Sequence, residues 1–300
     1  MADKRAIKVS DLDELAAGFQ ESRGITNKLT IKQMIAFAKE PVGGGENKLI
    51  SVLDGIATEI TAEDLEGLTT TKKYAFAYMP FLTKVAFPEG LTTINEYCFG
   101  ECTQLSNITL PASLRRIEAN AFYKCSALTS IDLLEGLEYI ASNAFYDTSI
   151  THITVPSTLT YLGFNNMKKL ETVTIPEGIT KISNSAFYND IALEPVSIPS
   201  TVTEIEDQAF RYCSSLGPTM IIPNSVTKIG QTAFKGCTSL TTIRIGNGIN
   251  IVTSIAVNCF RDCNNLTDIY IDAPEESIQG APWEATNATV HWNTPLPSNS

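Results

Sequence analysis

The stretch Arg116–Ile131, RIEANAFYKCSALTSI, decides the fold because its phrase recurs along most of the chain. Phe122 stands three residues before Cys125, and Leu128 follows three residues after it. Alignment on this phrase gives nine consecutive units, and a phenylalanine fills the same position in every unit. These phenylalanines are Phe76, Phe99, Phe122, Phe145, Phe164, Phe187, Phe210, Phe234 and Phe260. The first expectation is therefore a repeat architecture.

The spacing of the units identifies the kind of repeat. The units begin at Leu68, Leu91, Leu114, Leu137, Leu159, Ile179, Val202, Val226 and Val252, which are 20 to 26 residues apart. A period of about 20 to 29 residues with leucine and isoleucine at fixed positions is typical of leucine-rich solenoids, in which stacking closes the core. Unit five has lost three residues between Leu162 and Phe164, so we expect its outer arc to be tighter.

Each unit contains the signals of two extended pieces and a turn. The phrase L-x-x-I-x-I, as in Leu105, Ile108 and Leu110, ends in the period-2 alternation of a short strand with one buried face. A proline often follows and ends the strand, and a second extended piece leads to the Ala-Phe segment. The sequence predicts an α/β leucine-rich-repeat solenoid, a curved stack of short parallel strands with short helical turns, about nine repeats and two caps.

The chain outside the repeats is predicted to cap the stack or to lie beyond it. Residues 1–42 carry helix-start signals and are expected to be helical, and residues 43–67 contain a glycine linker and a leading cap rung. Residues 68–273 hold the repeats, residues 274–292 form a C-terminal cap, and residues 293–300 are expected to be a disordered tail.

Composition excludes several classes of partner. The net charge is −11 and the isoelectric point is about 4.7, and such a chain repels phosphate backbones and anionic lipid headgroups. No run of 18 apolar residues occurs and no secretory signal is visible at the N-terminus. We therefore expect no nucleic acid partner and no membrane insertion.

The repeat unit resembles the BspA-like leucine-rich repeat family of bacterial surface proteins. The segments LTSIDLLEGLEYIASNAFYDT (128–148) and VTKIGQTAFKGCTSLTTIRIGNG (226–248) match the usual phrase of that family, and the resemblance extends over residues 68–271. It implies adhesion or binding of host proteins at the cell surface, although members there carry export signals. The N-terminal segments DLDELAAGF (11–19) and ESRGITNKLTIKQM (21–34) also resemble phage or prophage tail-associated proteins.

The cysteines are interpreted as core residues. Their position holds Cys102, Cys125, Cys213, Cys237 and Cys263, and the other units place methionine, threonine or aspartate there. Thiolate chemistry does not tolerate such replacement, whereas a buried position does. Neighbouring rungs bring cysteines within disulfide range, but the odd total of seven favours free thiols. A shared zinc site is excluded because the pairs Cys98/Cys102 and Cys259/Cys263 lie at opposite ends of the stack.

Catalytic motifs are missing from the sequence. The two histidines, His152 and His291, stand in unit four and in the C-terminal cap, so they cannot easily meet. No nucleophile, phosphate-binding or zinc-protease motif occurs. We predict a protein that is not an enzyme and needs no cofactor or metal.

Two exposed features are candidates for a binding surface. The first is the outward face of the strands, where residues vary from unit to unit while the core positions stay fixed; a merely tolerated solvent face would vary as well. Its candidates are Asn107, Asp132, His152, Arg244, Asp268 and Tyr270. The second is a set of tyrosines that either contact a partner or shield the phenylalanine row. Its candidates are Tyr123, Tyr139, Tyr146 and Tyr161.

The sequence thus predicts a non-catalytic binding or adhesion protein that presents a repeat-built surface to a protein or glycan. Two alternatives stay open: a phage tail or virion accessory protein that binds a receptor, and an intracellular scaffold. The family resemblance places the protein at the cell surface or outside the cell, with a virion or cytoplasmic location as the alternatives. We expect a monomer unless the N-terminal helices oligomerise.

Overall fold

The computed structural model describes residues 58–247, 255–274 and 280–294. These ranges form a parallel β-solenoid of about ten turns, as the sequence predicts. The expected N-terminal helical segment, residues 1–42, lies outside the described residues, as do residues 295–300 of the tail.

The first strand of each rung belongs to a series that we call the front strands. They alternate outward polar and inward apolar side chains, and within each sheet neighbouring strands pair in parallel. The front strands are β1 (Glu59–Ile60), β2 (Lys84–Ala86), β4 (Asn107–Thr109), β7 (His152–Thr154), β8 (Thr172–Thr174), β11 (Thr219–Ile222), β13 (Thr242–Ile245), β14 (Asp268–Ile271) and β15 (Thr289–Trp292). They form the sheets β1-β2-β4, β7-β8 and β11-β13-β14-β15.

The second extended piece of each rung gives a shorter series, the back strands. Each is two residues long and buries its isoleucine. The back strands are β3 (Thr93–Ile94), β5 (Arg116–Ile117), β6 (Tyr139–Ile140), β9 (Lys181–Ile182), β10 (Glu204–Ile205) and β12 (Lys228–Ile229). They form two sheets, β3-β5-β6 and β9-β10-β12.

The phenylalanines form a continuous aromatic column in the core. All nine are completely buried, and neighbouring rings stack with centroids 5.1 to 6.5 Å apart. Offset stacking of aromatic rings adds about 0.5–1.5 kcal/mol per pair to the burial of their surface. The column explains why this position accepts only phenylalanine.

The cysteine position forms a second buried column. All seven cysteines are free and buried, as the sequence predicts. The Cys125 thiol donates a hydrogen bond to the Phe99 carbonyl of the preceding rung, with 3.1 Å between sulfur and oxygen, and Cys102 does the same to Phe76 at 2.9 Å. The thiol therefore fills the core and satisfies a buried carbonyl.

The prediction of short helical turns at the Ala-Phe segment is wrong. In the described residues the only helical element is the 3₁₀ helix Glu63–Leu65. The Phe122 N–H donates to the Ala144 carbonyl of the next rung, so it is not available to a helix. Asn120 and Lys124, on either side of Phe122, have φ of 57° and 55°, in the left-handed region that no right-handed helix contains. The segment is a turn that alternates local and inter-rung hydrogen bonds.

In unit five, whose outer arc the sequence predicts to be tighter, Gly163 packs closely against the preceding rung. A Cβ on Gly163 would lie 2.2 Å from the Ala141 carbonyl oxygen, so any other residue would collide with the backbone of the preceding rung. Unit five also makes weaker contacts with unit four. The back strand is reduced to a single bridge between Tyr139 and Tyr161, and the Phe145–Phe164 centroid distance widens to 6.5 Å.

Both described ends of the stack continue its pattern. At the front, β1 pairs with β2 and is followed by the 3₁₀ helix. At the back, β15 pairs with β14, and the Trp283 ring is completely buried against Phe260 at a centroid distance of 6.2 Å. Residues 280–294 thus add a further rung, and the division of the chain into caps and repeats stays a prediction.

Candidate functional surface

The charged side chains on the outer face of the front strands are mostly paired. Arg244 on β13 donates two hydrogen bonds from one guanidinium nitrogen to Asp272, at 2.9 and 3.0 Å, and a third from Nε at 3.2 Å. The His291 Nε2 lies 2.8 Å from the Asp268 Oδ1, and this hydrogen bond holds the pKa of Asp268 below its usual range. At the middle of the stack His152 is exposed and contacts Thr172. Arg244 and Asp272, Asp268 and His291, and His152 and Thr172 are thus hydrogen-bonded to each other.

Tyr270 does not present the exposed ring that its place on the outer face suggests. Only 7% of the residue is accessible, and its ring stacks on His291 with centroids 4.5 Å apart. The last rung covers the outward side chain of β14, because β15 extends the sheet by one more strand. Tyr270 therefore supports the Asp268–His291 pair and is not itself a contact surface.

Asn107 and Asp132 lie together in a groove. The groove has a volume of about 390 Å³ and is lined by residues 106–110, 130–132 and Leu134. The segment Ser130–Asp132 occupies a front-strand position but is not a strand, so the front sheet is interrupted there. A second interruption occurs at Pro195–Ser197, where another groove of about 330 Å³ opens beside the exposed Ile221.

Four tyrosines form a ladder at the Ala-Phe turns, which we call the tyrosine edge: Tyr74, Tyr97, Tyr123 and Tyr146. Tyr74 stacks on Tyr97 at a centroid distance of 5.1 Å, and Tyr123 stacks on Tyr146 at 4.9 Å. Tyr97 meets Tyr123 edge to face at 5.8 Å. All four residues are half-buried, so the rings are held in place while part of each stays accessible.

Lysines accompany the tyrosine edge. The Lys73, Lys124 and Lys168 ammonium groups lie 5.2, 5.0 and 5.9 Å from the ring centroids of Tyr74, Tyr123 and Tyr146. Each lysine also has an acidic partner: Glu96 at 2.8 Å, Glu101 at 4.0 Å and Asp147 at 3.4 Å, respectively. The tyrosine edge is therefore aromatic and locally neutral, on a chain that is strongly acidic overall.

The sequence indicated only half of this ladder. Tyr123 and Tyr146 directly follow a phenylalanine and were predicted, whereas Tyr74 and Tyr97 stand two residues before one. Because the left-handed turn brings both positions to the same edge, tyrosines at either place join one ladder. The signal that finds all four is a tyrosine within two residues of the repeated phenylalanine.

In the other predicted pair, Tyr139 lies on back strand β6, and Tyr161 forms an isolated bridge with it from the next rung. Their rings stack at 5.4 Å, and the Arg116 guanidinium lies 4.2 Å from the Tyr139 centroid. The Tyr161 hydroxyl donates to the Asn184 carbonyl of the next rung at 3.1 Å. This pair braces the shortened unit five, and it is separate from the tyrosine edge.

Two of the buried thiols, Cys102 and Cys125, are poor nucleophiles. Burial raises the pKa of Cys102 to about 12 and that of Cys125 well above its usual value, so these thiols do not act as nucleophiles at neutral pH. Within the described ranges, no three His, Cys, Asp or Glu side chains are grouped as a metal site. The same ranges contain no helix long and apolar enough to cross a bilayer.

The stacked parallel rungs, the phenylalanine column and the leucine and isoleucine core define a leucine-rich repeat solenoid. The family model described as the BspA type leucine rich repeat region, in six copies, matches residues 57–164 and 163–289. The chain belongs to the BspA-type leucine-rich repeat family.

A solved structure agrees with this fold. A leucine-rich repeat protein from Bacteroides ovatus matches with a TM-score of 0.54 and 24% identity, over 75% of this chain and 64% of that protein. A leucine rich cell surface protein from Faecalibacterium prausnitzii gives a TM-score of 0.44 and 24% identity, over 73% of this chain and 65% of that protein. The chain thus spans less than two thirds of either protein, and the Bacteroides ovatus match, at this low identity, shows the fold alone. No curated protein matches the chain.

Proposed function

We propose that this protein is a non-catalytic binding protein whose contact surface is the tyrosine edge and whose partner is a protein. The observation that carries the proposal is the ladder of four half-exposed tyrosines with three lysines beside them. Tyrosine is enriched at the energetic centres of protein interfaces because it offers a large, rigid contact area with a polar tip. Family membership is consistent with a repeat-built binding surface.

The geometry of the ladder favours a protein over a glycan. Sugars bind aromatic residues through the open faces of the rings. In the tyrosine edge, stacking covers one face of each ring in the Tyr74–Tyr97 and Tyr123–Tyr146 pairs, and lysines lie near others. Ring edges and hydroxyls are left for the partner, and these suit polar and apolar groups of a protein surface. Because stacking already fixes the rings, binding costs little side-chain entropy.

The test is a screen of protein and glycan arrays with the full chain and two variants. We expect protein ligands whose affinity falls at least about 30-fold in Tyr97→Ser/Tyr123→Ser, because the loss of even one residue at an interface centre costs about 2 kcal/mol or more. The matched control is Tyr188→Ser, which removes a tyrosine from a turn outside the tyrosine edge. Glycan ligands alone, or protein ligands that bind both variants equally, would contradict the proposal.

The location follows from the same proposal. We place the protein at the surface of a bacterial cell, where an adhesive or host-binding surface would act. Antibody labelling of intact source cells should detect the protein without permeabilisation. Labelling only after permeabilisation would instead favour the intracellular scaffold, and detection in purified phage particles would favour the tail or virion alternative.

A further inference from the structure

The groove at the first interruption of the front sheet has unused hydrogen-bonding capacity. In β4, the Asn107 N–H and the Thr109 carbonyl bond to the preceding rung, both at 3.1 Å. Alternate residues of a parallel strand face opposite neighbours, so the Ile108 N–H and carbonyl are directed to the following rung. Among the described residues, no backbone hydrogen bond joins β4 to Ser130–Asp132. The groove is thus bordered by an open strand edge.

The groove also contains an unpaired charge. Other charged or imidazole side chains on the outer face of the front strands have partners, as in the pairs Lys84–Glu59, Arg244–Asp272 and His291–Asp268. Asp132 is exposed and makes no ion pair or hydrogen bond with any described residue, and the side chains of Asn107 and Ser130 make none either. A carboxylate at the mouth of a groove complements a cationic group.

The walls of the groove are apolar. Ile108, Ile131 and Leu134 line it, and Leu134 is 40% exposed because it stands where neighbouring rungs place a proline. A β-branched side chain of a partner would bury these surfaces at about 25 cal/mol per Å². The groove therefore combines an open strand edge, apolar walls and one carboxylate.

We propose that this groove binds an extended peptide segment in which a lysine or arginine is flanked by apolar residues. The peptide backbone pairs with Ile108 as an added strand, its apolar side chains contact Ile131 and Leu134, and its cation pairs with Asp132. Addition of a strand to an open edge gives affinity through main-chain hydrogen bonds and specificity through alternate side chains. The site lies at the first strand of the rung and does not depend on the tyrosine edge at the Ala-Phe turns.

The experiment titrates the full chain with blocked pentapeptides by calorimetry. The probe is acetyl-Thr-Val-Lys-Val-Thr-amide, and its counterparts carry glutamate in place of lysine or N-methyl groups on both valines. We expect the lysine peptide to bind at least about tenfold more tightly than either counterpart, because glutamate replaces the attraction to Asp132 by repulsion and N-methylation removes the ladder donors. N-acetyl-lysine methylamide, a single amino acid, should bind no better than the counterparts.

Variants assign the binding to the groove. Asp132→Asn should weaken the lysine peptide about tenfold or more. The control Glu194→Gln removes an exposed acid beside the second interruption and should leave affinity unchanged. Tyr97→Ser/Tyr123→Ser should also leave it unchanged, which separates this site from the tyrosine edge. The proposal is overturned by equal binding of the three peptides, by binding of the single amino acid as tight as the peptide, by no binding at millimolar concentration, or by an affinity that Asp132→Asn does not change.

Discussion

Asp190 takes the position that cysteine fills in five other units, and it is fully buried. Its Oδ1 accepts a hydrogen bond from the Met167 N–H at 2.7 Å, whereas its Oδ2 has no partner among the described residues. Burial raises the pKa of Asp190 well above its usual value and so favours its neutral acid form in the folded protein. Asp190 therefore makes the stability of one rung sensitive to pH, whereas the other units place cysteine, methionine or threonine at this position.

Asp190→Asn should stabilise the fold more as the pH rises. With a folded pKa above the unfolded value of about 3.9, the unfolded chain releases the proton first, so stability falls as the pH increases between these values. The amide keeps the shape of the acid and cannot ionise, and relief of the buried polar cost is expected to be about 1–3 kcal/mol near neutral pH. Thermal unfolding at pH 5 and pH 8 measures this.

The exposed Asp132→Asn serves as the control for that measurement. This substitution removes an exposed carboxylate, and its thermal stability should depend on pH as that of the parent chain does. If Asp190→Asn and the parent chain lose the same stability between pH 5 and pH 8, the account of Asp190 as a buried neutral acid is wrong.

At the scale of elements, a glutamate at the turn after the front-strand position occurs in every second rung of the region 89–201 and bonds to the rung that follows it. Glu89, Glu135 and Glu177 each accept hydrogen bonds from backbone N–H groups in the next rung, at 3.0 to 3.3 Å. In return, the Gly136 N–H donates to Thr158 in that rung at 3.0 Å. In these three pairs of rungs, a Glu-Gly turn is thus followed by a Ser/Thr turn.

These turns predict a loss of stability in acid. Hydrogen bonds from Ser157 and Ser200 lower the pKa values of Glu135 and Glu177. A folded pKa below the unfolded value of about 4.3 gives stability that is present above that pH and lost as the pH falls through the folded pKa. Glu135→Gln/Glu177→Gln should therefore flatten the decline of urea-unfolding stability below about pH 4.5. A decline as steep as that of the parent chain, or of Glu194→Gln, would show that these carboxylates do not contribute.

The elements also show what the sequence can and cannot predict. The repeated Phe122 and Cys125 positions predicted two buried columns, and both exist because identical rungs must stack identical side chains. The Ala-Phe turn was predicted to be helical because local propensity does not register hydrogen bonds to the next rung. The interruption at Ser130–Asp132 was missed for a related reason: its alternation is that of a strand, and only the pairing between rungs shows that the ladder is broken.

At the scale of the whole molecule, stacking places the equivalent residues of successive units one above another at regular spacing. A tyrosine near each of four successive phenylalanines becomes a ladder because the rungs align, and a single exposed ring would be unremarkable in an acidic protein of 300 residues. The site could be predicted only in part, since sequence gives the rung position of a side chain but not its neighbours. Tyr270 illustrates the limit, because the next rung covers it.

Hydroxyl-radical footprinting of the partner complex tests the central claim most directly. Oxidation of each tyrosine is measured by mass spectrometry in the free protein and in the complex with a protein ligand from the arrays. The account predicts that Tyr74, Tyr97, Tyr123 and Tyr146 become protected together, while Tyr188 and Tyr212 keep the oxidation rates of the free protein. Protection confined to the front strands, or unchanged oxidation of the tyrosine edge in a saturated complex, would contradict it.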